Sequence, residues 1–246
     1  MLYDLIVDLE QTWVYGALLV YFAWYPIASS ATWIYTAILY HRRREARAET
    51  RLSEFYRMET HPRVSFVVPA FNEEVNIIAS VEAILAVDYP DFEVVVIDDC
   101  SIDGTLARLE PLAADGRIRL VRKHVNEGKA MALNDAIPLC TGELLMVMDA
   151  DAMPHPDILK EMVPHFRSPR VAGVTGNPRV VNRTSFLSKL QAIEFASIIS
   201  LMRRAQRVWG RIMTMSGVVG IFRREALADV GYYSPEMATE DIDMTW

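Results

Sequence analysis

An uncharged stretch near the amino terminus constrains this chain most. Residues 11–40 contain no Asp, Glu, Lys or Arg, and Trp, Tyr, Leu, Ile and Ala dominate them. A helix of this length extends about 45 Å, which exceeds the ~30 Å hydrocarbon core of a bilayer. We therefore predict a transmembrane helix within residues 1–40, tilted or kinked at Pro26. Two shorter, broken segments are the alternative.

Charges on either side of this stretch predict its orientation. Acidic residues precede it, and a basic cluster follows it, made of Arg42, Arg43, Arg44, Arg47 and Arg51. The positive-inside rule places the basic side, and the chain that follows, in the cytosol. A cleavable signal peptide fits less well, because it needs a basic first region and an apolar stretch of only about 7 to 15 residues.

Composition excludes several other classes of protein. The chain has 32 acidic and 25 basic residues and a net charge of -7, so it has no positive surplus with which to neutralise a nucleic-acid backbone. Its two cysteines, Cys100 and Cys140, are too few for a disulfide framework, which favours a reducing, cytosolic compartment. We expect no nucleic-acid partner.

The rest of the chain reads as a linker followed by an α/β domain. Residues 41–62 mix charges of both signs, and we predict a solvated or headgroup-lying juxtamembrane helix. From residue 63 to 246, short β-branched runs alternate with helical stretches. This alternation predicts a mostly parallel sheet. Ligands of such sheets bind beyond the carboxyl ends of the strands.

Two predicted strands end in acidic motifs. The first ends in PAFNEE, where Asn72 is expected to cap the next helix and Glu73 and Glu74 to lie in its first turn. The second ends in DDCSIDGT. One acidic residue of that loop, Asp103, suits a helix cap, but the adjacent carboxylates of Asp98 and Asp99 repel each other and require a partner.

A third acidic motif, Asp149-Ala150-Asp151, follows the strand ELLMVM. Chance produces about one such D-x-D triplet in a chain of this composition, and Asp241-Ile242-Asp243 is another. Position at a strand end is the stronger argument. A carboxylate pair there suits a hard divalent cation that also binds diphosphate oxygens.

Two nucleotide-binding motifs are excluded. The segment from Asn126 to Ala130 is not a Walker A motif, because Lys123 and Ala130 stand where Gly and Ser or Thr are needed. The dinucleotide fingerprint G-x-G-x-x-G is absent. Lys129, at a predicted helix start, is either solvated or bound to a ligand.

The last part of the chain holds features with two interpretations each. The cluster Thr239-Glu240-Asp241 suits either a helix cap or a functional site. Residues 184–209 form a helical candidate with an apolar side and an end rich in Arg and Trp. Core packing and an interfacial position on a bilayer both fit this pattern.

The ordered set of motifs resembles the processive family-2 glycosyltransferases of GT-A fold. The segments that carry the resemblance are PAFNEE, VVVIDDCSIDGT, NEGKAMALNDA, MDAD, TGNPR and TED. The sequence is most similar to the bacterial poly-β-1,6-N-acetylglucosamine synthases, over residues 63–246. The resemblance implies an α/β catalytic domain of GT-A type, Rossmann-like with a mostly parallel sheet, after a transmembrane helix.

The resemblance also implies roles for individual residues. Those that would bind the donor are Ala70, Glu73, Asp99, Lys129 and Asp149. The metal, Mg²⁺ or Mn²⁺, would be held by Asp151 and Asp149, and Asp241 would be the catalytic base beside Glu240. The acceptor-side candidates are Asn177, Arg179, Ser216 and Gly217.

The function implied is that of a membrane-anchored, inverting transferase. It would move N-acetylglucosamine from UDP-GlcNAc to a growing β-1,6-linked exopolysaccharide of biofilms at the cytosolic face of the plasma (inner) membrane. Its partners would be the UDP-sugar, the glycan acceptor, the lipid bilayer and a membrane subunit for export. The alternatives are transfer to a polyprenyl phosphate, synthesis of a chitin, hyaluronan or cellulose type of glycan, and a catalytically inactive fragment that binds UDP-sugar.

The sequence departs from the family pattern in three places. Cys100 stands where many relatives have glycine. The sequence ends at Trp246, before the Q-x-x-R-W motif and the later membrane spans of these synthases. One membrane span is predicted before the α/β domain, where many relatives have two. We therefore expect the segment to be the front part of a larger protein.

Overall fold

The computed structural model describes residues 13–45, 49–181, 184–210 and 212–236. These residues fall into two compact units, one within 1–46 and 181–212, the other within 47–180 and 213–236. The predicted division into 1–40, 41–62 and 63–246 stays a prediction, and this grouping differs from it by assigning 181–212 to the unit of the N-terminal helix.

The elements follow one another in the order below. The helices are α1 (Trp13–Tyr40), α2 (Glu49–Tyr56), α3 (Ile77–Leu85), α4 (Thr105–Ala114), α5 (Lys129–Ala136), α6 (Ile158–Met162), α7 (Phe186–Glu194), α8 (Met202–Val208) and α9 (Arg224–Asp229). The strands are β1 (Val64–Ala70), β2 (Phe92–Asp98), β3 (Arg119–Arg122), β4 (Leu144–Met148), β5 (Gly173–Thr175) and β6 (Val219–Arg223). Short π- or 3₁₀-helical turns cover His41–Glu45, Ile137–Leu139, Val163–Arg167 and Phe195–Leu201.

The first unit is built around the long helix α1. It runs without interruption through Pro26, so the alternative of two broken segments is not found. The hydroxyls of Thr32 and Thr36 donate to the backbone oxygens of Ala28 and Thr32 at 2.8 and 2.7 Å, which satisfies them without water. Helix α8 packs against α1. Most of the aromatic and aliphatic surface of α1 is nevertheless exposed.

Helix α1 has the length and composition of a membrane span. Within the described residues it is the one helix that meets both criteria. The apolar face of α7 is exposed as well, at Phe186, Leu187 and Ile193. Core packing therefore does not account for the apolar side of α7, since none of its side chains is buried, whereas Ala205 and Gln206 of α8 are buried.

The second unit contains the expected mostly parallel α/β sheet. The strand order is β3-β2-β1-β4-β6-β5, and the first four strands are parallel. The central strands are buried on both faces, which explains their continuous apolar sequences. Alternate residues of β1 face opposite cores, with Phe66 and Val68 on one side and Val67 on the other.

The sequence analysis missed strand β6. This strand runs antiparallel to both β4 and β5, with Met148 opposite Val219. Its start therefore lies at the carboxyl end of β4. The strand is only five residues long, and helix α9 follows it directly, so its sequence pattern is too short to separate from the helix.

The linker helix α2 packs against the second unit and is not simply solvated as expected. Phe55 is 4% exposed and packs against His61 and Tyr89, with ring centroids 4.3 and 5.8 Å away. The Lys160 ammonium lies 5.7 Å from the centre of the Tyr56 ring. The apolar aromatic face of this short helix thus belongs to the core of the second unit.

A largely buried carboxylate, that of Glu93, joins three segments at the amino-terminal edge of the sheet. The carboxylate of Glu93 accepts hydrogen bonds from the Ser65 hydroxyl (2.6 Å), the Thr141 N–H (2.5 Å) and the Thr141 hydroxyl (2.7 Å). Burial alone raises the pKa of Glu93, but these hydrogen bonds and the charge of Arg119 outweigh it, so its pKa is lowered.

We predict that Glu93→Gln destabilises the folded protein by about 1–3 kcal/mol at pH 7. Because the folded-state pKa of Glu93 is depressed, its contribution is present above the unfolded pKa and lost as the pH falls through the folded value. Urea unfolding from pH 7 to pH 3 measures the difference between variant and wild type. The matched control is Glu82→Gln, which removes an exposed pair with Arg117 and should cost far less. Equal losses for the two variants would contradict this account.

Candidate functional site

The adjacent carboxylates that end β2 are both buried, and the structure supplies partners. Asp98 and Asp99 are 1% and 2% exposed. The carboxylate of Asp99 accepts hydrogen bonds from the backbone N–H of Gly128 (2.8 Å) and of Glu127 (3.2 Å). The amino group of Lys123 lies 3.5 Å from the same carboxylate. Positive charge and N–H dipoles thus offset the repulsion that the sequence predicts.

Asp98 is less fully partnered than Asp99. One of its carboxylate oxygens accepts a hydrogen bond from the Ser101 N–H at 3.3 Å. The other, Oδ1, is buried and has no hydrogen-bond partner in the described part of the chain. A buried acceptor without a donor is unfavourable. The end of β2 therefore keeps one buried acceptor without a donor in the described part of the chain.

Sequence reasoning missed Lys123, which follows β3 at the same edge. Its side chain is 8% exposed, and its amino group pairs with Glu127 at 2.8 Å and Asp135 at 2.9 Å as well as with Asp99. Burial lowers the pKa of Lys123, but the hydrogen bonds and charges of these carboxylates outweigh that effect and raise it. The signal available in the sequence was its place directly after a strand.

Lys129 joins two predicted site segments. Its amino group lies 2.6 Å from Asp149 Oδ1 and 3.2 Å from the backbone oxygen of Gly217. The side chains of Lys129 and Asp149 are 32% and 28% exposed. The interpretation of Lys129 as a simply solvated lysine is therefore wrong. The antiparallel strand β6 explains why Gly217 is close, since the Asp149 N–H donates to the Val218 oxygen at 3.1 Å.

The D-x-D motif lies in a turn that follows β4. The Ala152 N–H donates to the Asp149 oxygen at 3.1 Å, and Asp151 is exposed. No group of three or more His, Cys, Asp or Glu side chains able to hold a metal ion occurs within the described ranges. Two carboxylates nevertheless fit Mg²⁺ or Mn²⁺, because Mg²⁺ in proteins keeps several waters and takes phosphate oxygens beside one or two carboxylates.

The loops after β1 and β2 are tied together. The Asn72 side-chain oxygen accepts from the Ile102 N–H at 2.9 Å, and the Asn72 N–H donates to the Ser101 hydroxyl at 3.0 Å. Asn72 therefore does not cap α3 as predicted. The helix begins later, at Ile77, so Glu73 and Glu74 lie before its first turn and not in it as predicted.

Backbone N–H groups of the loop after β1 also donate to side chains of the loop after β2. The Glu73 N–H donates to the Thr105 hydroxyl at 2.8 Å, and the Glu74 N–H donates to Asp103 at 3.1 Å. Asp103 also accepts from the N–H of Thr105, the first residue of α4, at 2.9 Å, but the N-cap position itself is Gly104 and no side chain caps the helix there. Ala70 is 1% exposed at the end of β1, opposite Asp98.

The departure at Cys100 has a structural consequence. Its φ of 63° lies in the left-handed region that glycine adopts most easily, which is the residue many relatives have there. The Cys100 thiol is 3.5 Å from the His124 oxygen, and this contact ties the loop after β2 to the segment after β3.

The acceptor-side candidates lie in two segments. The Ser216 N–H donates to the Thr175 hydroxyl at 3.1 Å, so the loop before β6 lies against the end of β5. Asn177 and Arg179 are exposed just after β5. The predicted base Asp241 and its neighbour Glu240 lie outside the described residues.

Comparisons with known proteins identify the family. The Glycosyl transferase family 2 pattern matches residues 65–231. The poly-β-1,6-N-acetyl-D-glucosamine synthase of Staphylococcus epidermidis strain ATCC 35984 is 37% identical over 226 residues, which are 90% of this chain and 54% of the relative. The synthase of the same name from Staphylococcus aureus strain COL is 33% identical over 223 residues, again 90% and 54%. This chain thus spans about half the length of these curated relatives.

Solved structures share the fold. The mannosyltransferase PcManGT from Pyrobaculum calidifontis, in complex with GDP-Man and Mn²⁺, has a TM-score of 0.65 and 27% identity, covering 89% of this chain and 61% of its own. S. aureus TarS 1-349 in complex with UDP-GlcNAc has a TM-score of 0.54 and 21% identity, covering 74% and 52%. The GT-A type of α/β fold expected from the sequence is confirmed. With its mostly parallel sheet and its acidic motifs on one edge, the chain belongs to glycosyl transferase family 2.

Proposed function

We propose that this chain is the catalytic part of an inverting transferase that moves N-acetylglucosamine from UDP-GlcNAc to a growing β-1,6-linked exopolysaccharide. One observation carries the proposal. The fold brings Asp99 and Asp149 to one edge of the sheet, where the consecutive residues Gly128 and Lys129 contact one carboxylate each. The name of the curated synthases supports the choice of sugar and linkage.

The β1 and β2 ends would bind the nucleotide. A buried carboxylate can accept the N–H of a uracil ring, and Asp99 lies beside Ala70, whose backbone oxygen accepts the Asp99 N–H at 2.9 Å. Its position is fixed because it already accepts two backbone N–H groups and faces Lys123. Fixed acceptors recognise a planar base without a cost for reorganising the site.

The turn after β4 would bind the diphosphate through a divalent cation. Asp151, with Asp149, would ligate Mg²⁺ or Mn²⁺, and the presence of Mn²⁺ in the PcManGT complex supports such a requirement. When bound, the cation supplies charge that offsets the negative charge developing on the leaving UDP. Asp149 and Asp151 would hold the cation, and through it the diphosphate, at the carboxyl end of β4.

Attack by an acceptor hydroxyl would invert the sugar in a single displacement. Asp241, with Glu240 next to it, would accept the proton of the acceptor 6-hydroxyl as the new bond forms. An ordinary aspartate has a pKa of about 3.9, so proton transfer must accompany a late stage of the attack. Asn177, Arg179, Ser216 and Gly217 would face the acceptor, since the loops that carry them lie at the same edge as Asp149.

The first unit would attach the enzyme to a membrane. Helix α1 has the length of a span, with Trp13, Phe22 and Trp24 exposed along it. The exposed apolar face of α7 and the arginines of α8 fit a segment that lies in the interface of the bilayer. The arginines that follow α1 favour a cytosolic catalytic unit at the plasma (inner) membrane. A membrane subunit would then export the product.

The product of the reaction tests the proposal. Membranes that contain the full-length protein are incubated separately with UDP-GlcNAc, UDP-glucose and GDP-mannose, and the glycan is analysed for size and linkage. We expect a β-1,6-linked polymer from UDP-GlcNAc alone. A single sugar on a lipid phosphate would instead identify a polyprenyl-phosphate transferase, a different linkage would identify another β-glycan synthase, and binding without any product would identify an inactive fragment.

Separate variants test the division of roles in the site. We expect Asp151→Ala to weaken UDP binding at least about tenfold and to remove its dependence on the metal. Asp241→Asn should abolish sugar transfer and leave UDP affinity within a few-fold, because the base acts on the acceptor. Calorimetry with UDP at several Mg²⁺ concentrations measures the UDP affinity of both variants, and the glycan product measures sugar transfer. The exposed Asp115→Ala variant is the control. Unchanged metal dependence in Asp151→Ala would remove this residue from the site.

Cys100 provides a reporter of donor binding. It is partly exposed beside Asp99, whereas Cys140 is buried and burial, with the charge of Glu93, raises the pKa of its thiol to about 11. We expect N-ethylmaleimide at pH 7.5 to modify Cys100 and not Cys140, and UDP with Mg²⁺ to slow the modification. Mass spectrometry of both peptides measures this, with Cys100→Gly as the unlabelled control. Equal labelling with and without UDP would contradict a nucleotide site at the end of β2.

A further inference from the structure

The turn that begins α5 connects the two acidic halves of the site. The Gly128 N–H donates to Asp99 Oδ2 at 2.8 Å, and the next residue, Lys129, reaches Asp149 Oδ1 at 2.6 Å. Gly128 has a φ of 86°, which a residue with a side chain adopts only with strain. Two consecutive residues therefore contact the Asp99 carboxylate after β2 and the Asp149 carboxylate after β4.

The Lys129–Asp149 pair stands where the proposed cation would bind. Both side chains are about two-thirds buried, so water weakens their attraction less than that of an exposed pair. The Gly217 oxygen, 3.2 Å from the same amino group, supplies a further acceptor. Asp149 thus has a positive partner within the chain itself.

A divalent cation and an ammonium group compete for one carboxylate. Two positive charges at Asp149 repel each other, so a cation that binds there alone binds less tightly unless Lys129 moves away from Oδ1. A nucleotide diphosphate removes this conflict because its oxygens offer the displaced ammonium a new partner. Lysine suits such a change, since its compact charge lies on a flexible four-carbon stem.

We propose that Lys129 is an exchangeable counterion: it neutralises Asp149 before the donor binds and transfers its ammonium to the diphosphate when the metal–nucleotide complex arrives. The inference rests on the proposed function. It makes metal binding conditional on the nucleotide, because the metal alone must displace Lys129 without compensation. It also keeps the acidic edge from repelling the incoming diphosphate. Lys129 is in this sense a positioning residue for both ligands.

Metal binding in the absence of nucleotide tests the exchange. The detergent-solubilised full chain is titrated with Mn²⁺ alone, and free Mn²⁺ is measured by electron paramagnetic resonance. We expect Lys129→Met to bind Mn²⁺ alone roughly tenfold more tightly than wild type, and UDP in the presence of Mn²⁺ roughly tenfold more weakly. These opposite changes separate a counterion from a structural residue, whose loss weakens both.

Matched variants exclude simpler explanations. Lys129→Gln keeps a donor for Asp149 and Gly217 but removes the charge, so it should reproduce both changes even where Lys129→Met folds poorly. Lys129→Arg keeps the charge and should bind Mn²⁺ alone as weakly as wild type. Arg57→Gln removes one exposed positive charge from the same unit and should change neither affinity.

Two outcomes overturn the inference in distinguishable ways. If wild type binds Mn²⁺ and UDP but both neutral variants bind Mn²⁺ alone no more tightly, the exchange is wrong while the proposed function stands. If wild type binds no UDP at any Mn²⁺ concentration, the proposed donor is wrong, and the transfer of Lys129 to a diphosphate is wrong with it.

Discussion

Neutralisation of buried acidic side chains is the constraint on which the site depends. Burying a carboxylate without a partner is strongly unfavourable. Strand β2 ends in two buried carboxylates, those of Asp98 and Asp99. Two backbone N–H groups and Lys123 satisfy Asp99, and Lys129 pairs with Asp149. These contacts all come from the loop after β3 and the start of α5. This segment therefore holds the acidic edge together.

The order of the strands explains why one segment can do this. Strands β1, β2 and β4 are parallel, so Ala70, Asp98 and the turn after Met148 share one edge. The antiparallel strand β6 then adds its starting loop to the same edge, which brings Gly217 to Lys129. A fully parallel sheet would have placed the start of β6 at the opposite edge. The reversal thus contributes backbone acceptors to a site made otherwise of carboxylates.

Much of the fold and of the site could be predicted from local patterns. Apolar β-branched runs followed by acidic loops revealed the parallel strands, and the positions of Asp99 and Asp149 at strand ends followed from them. What the sequence could not show are partnerships between distant segments. The pairing of Lys123 with Asp99, the pairing of Lys129 with Asp149, and the contact of Asn72 with Ile102 all depend on register and strand order. Helix α2 was predicted to be solvated or to lie on the lipid headgroups because its charges outnumber the aromatic residues that pack it.

A crystal structure with UDP and Mn²⁺ tests most directly whether the acidic edge forms one donor site. The account predicts a single anomalous manganese peak bound by Asp151 or Asp149 and by the diphosphate, with the uracil ring against Asp99. The Lys129 ammonium should then lie on the diphosphate. A manganese peak away from β4, or a uracil ring bound elsewhere than the end of β2, would contradict the account.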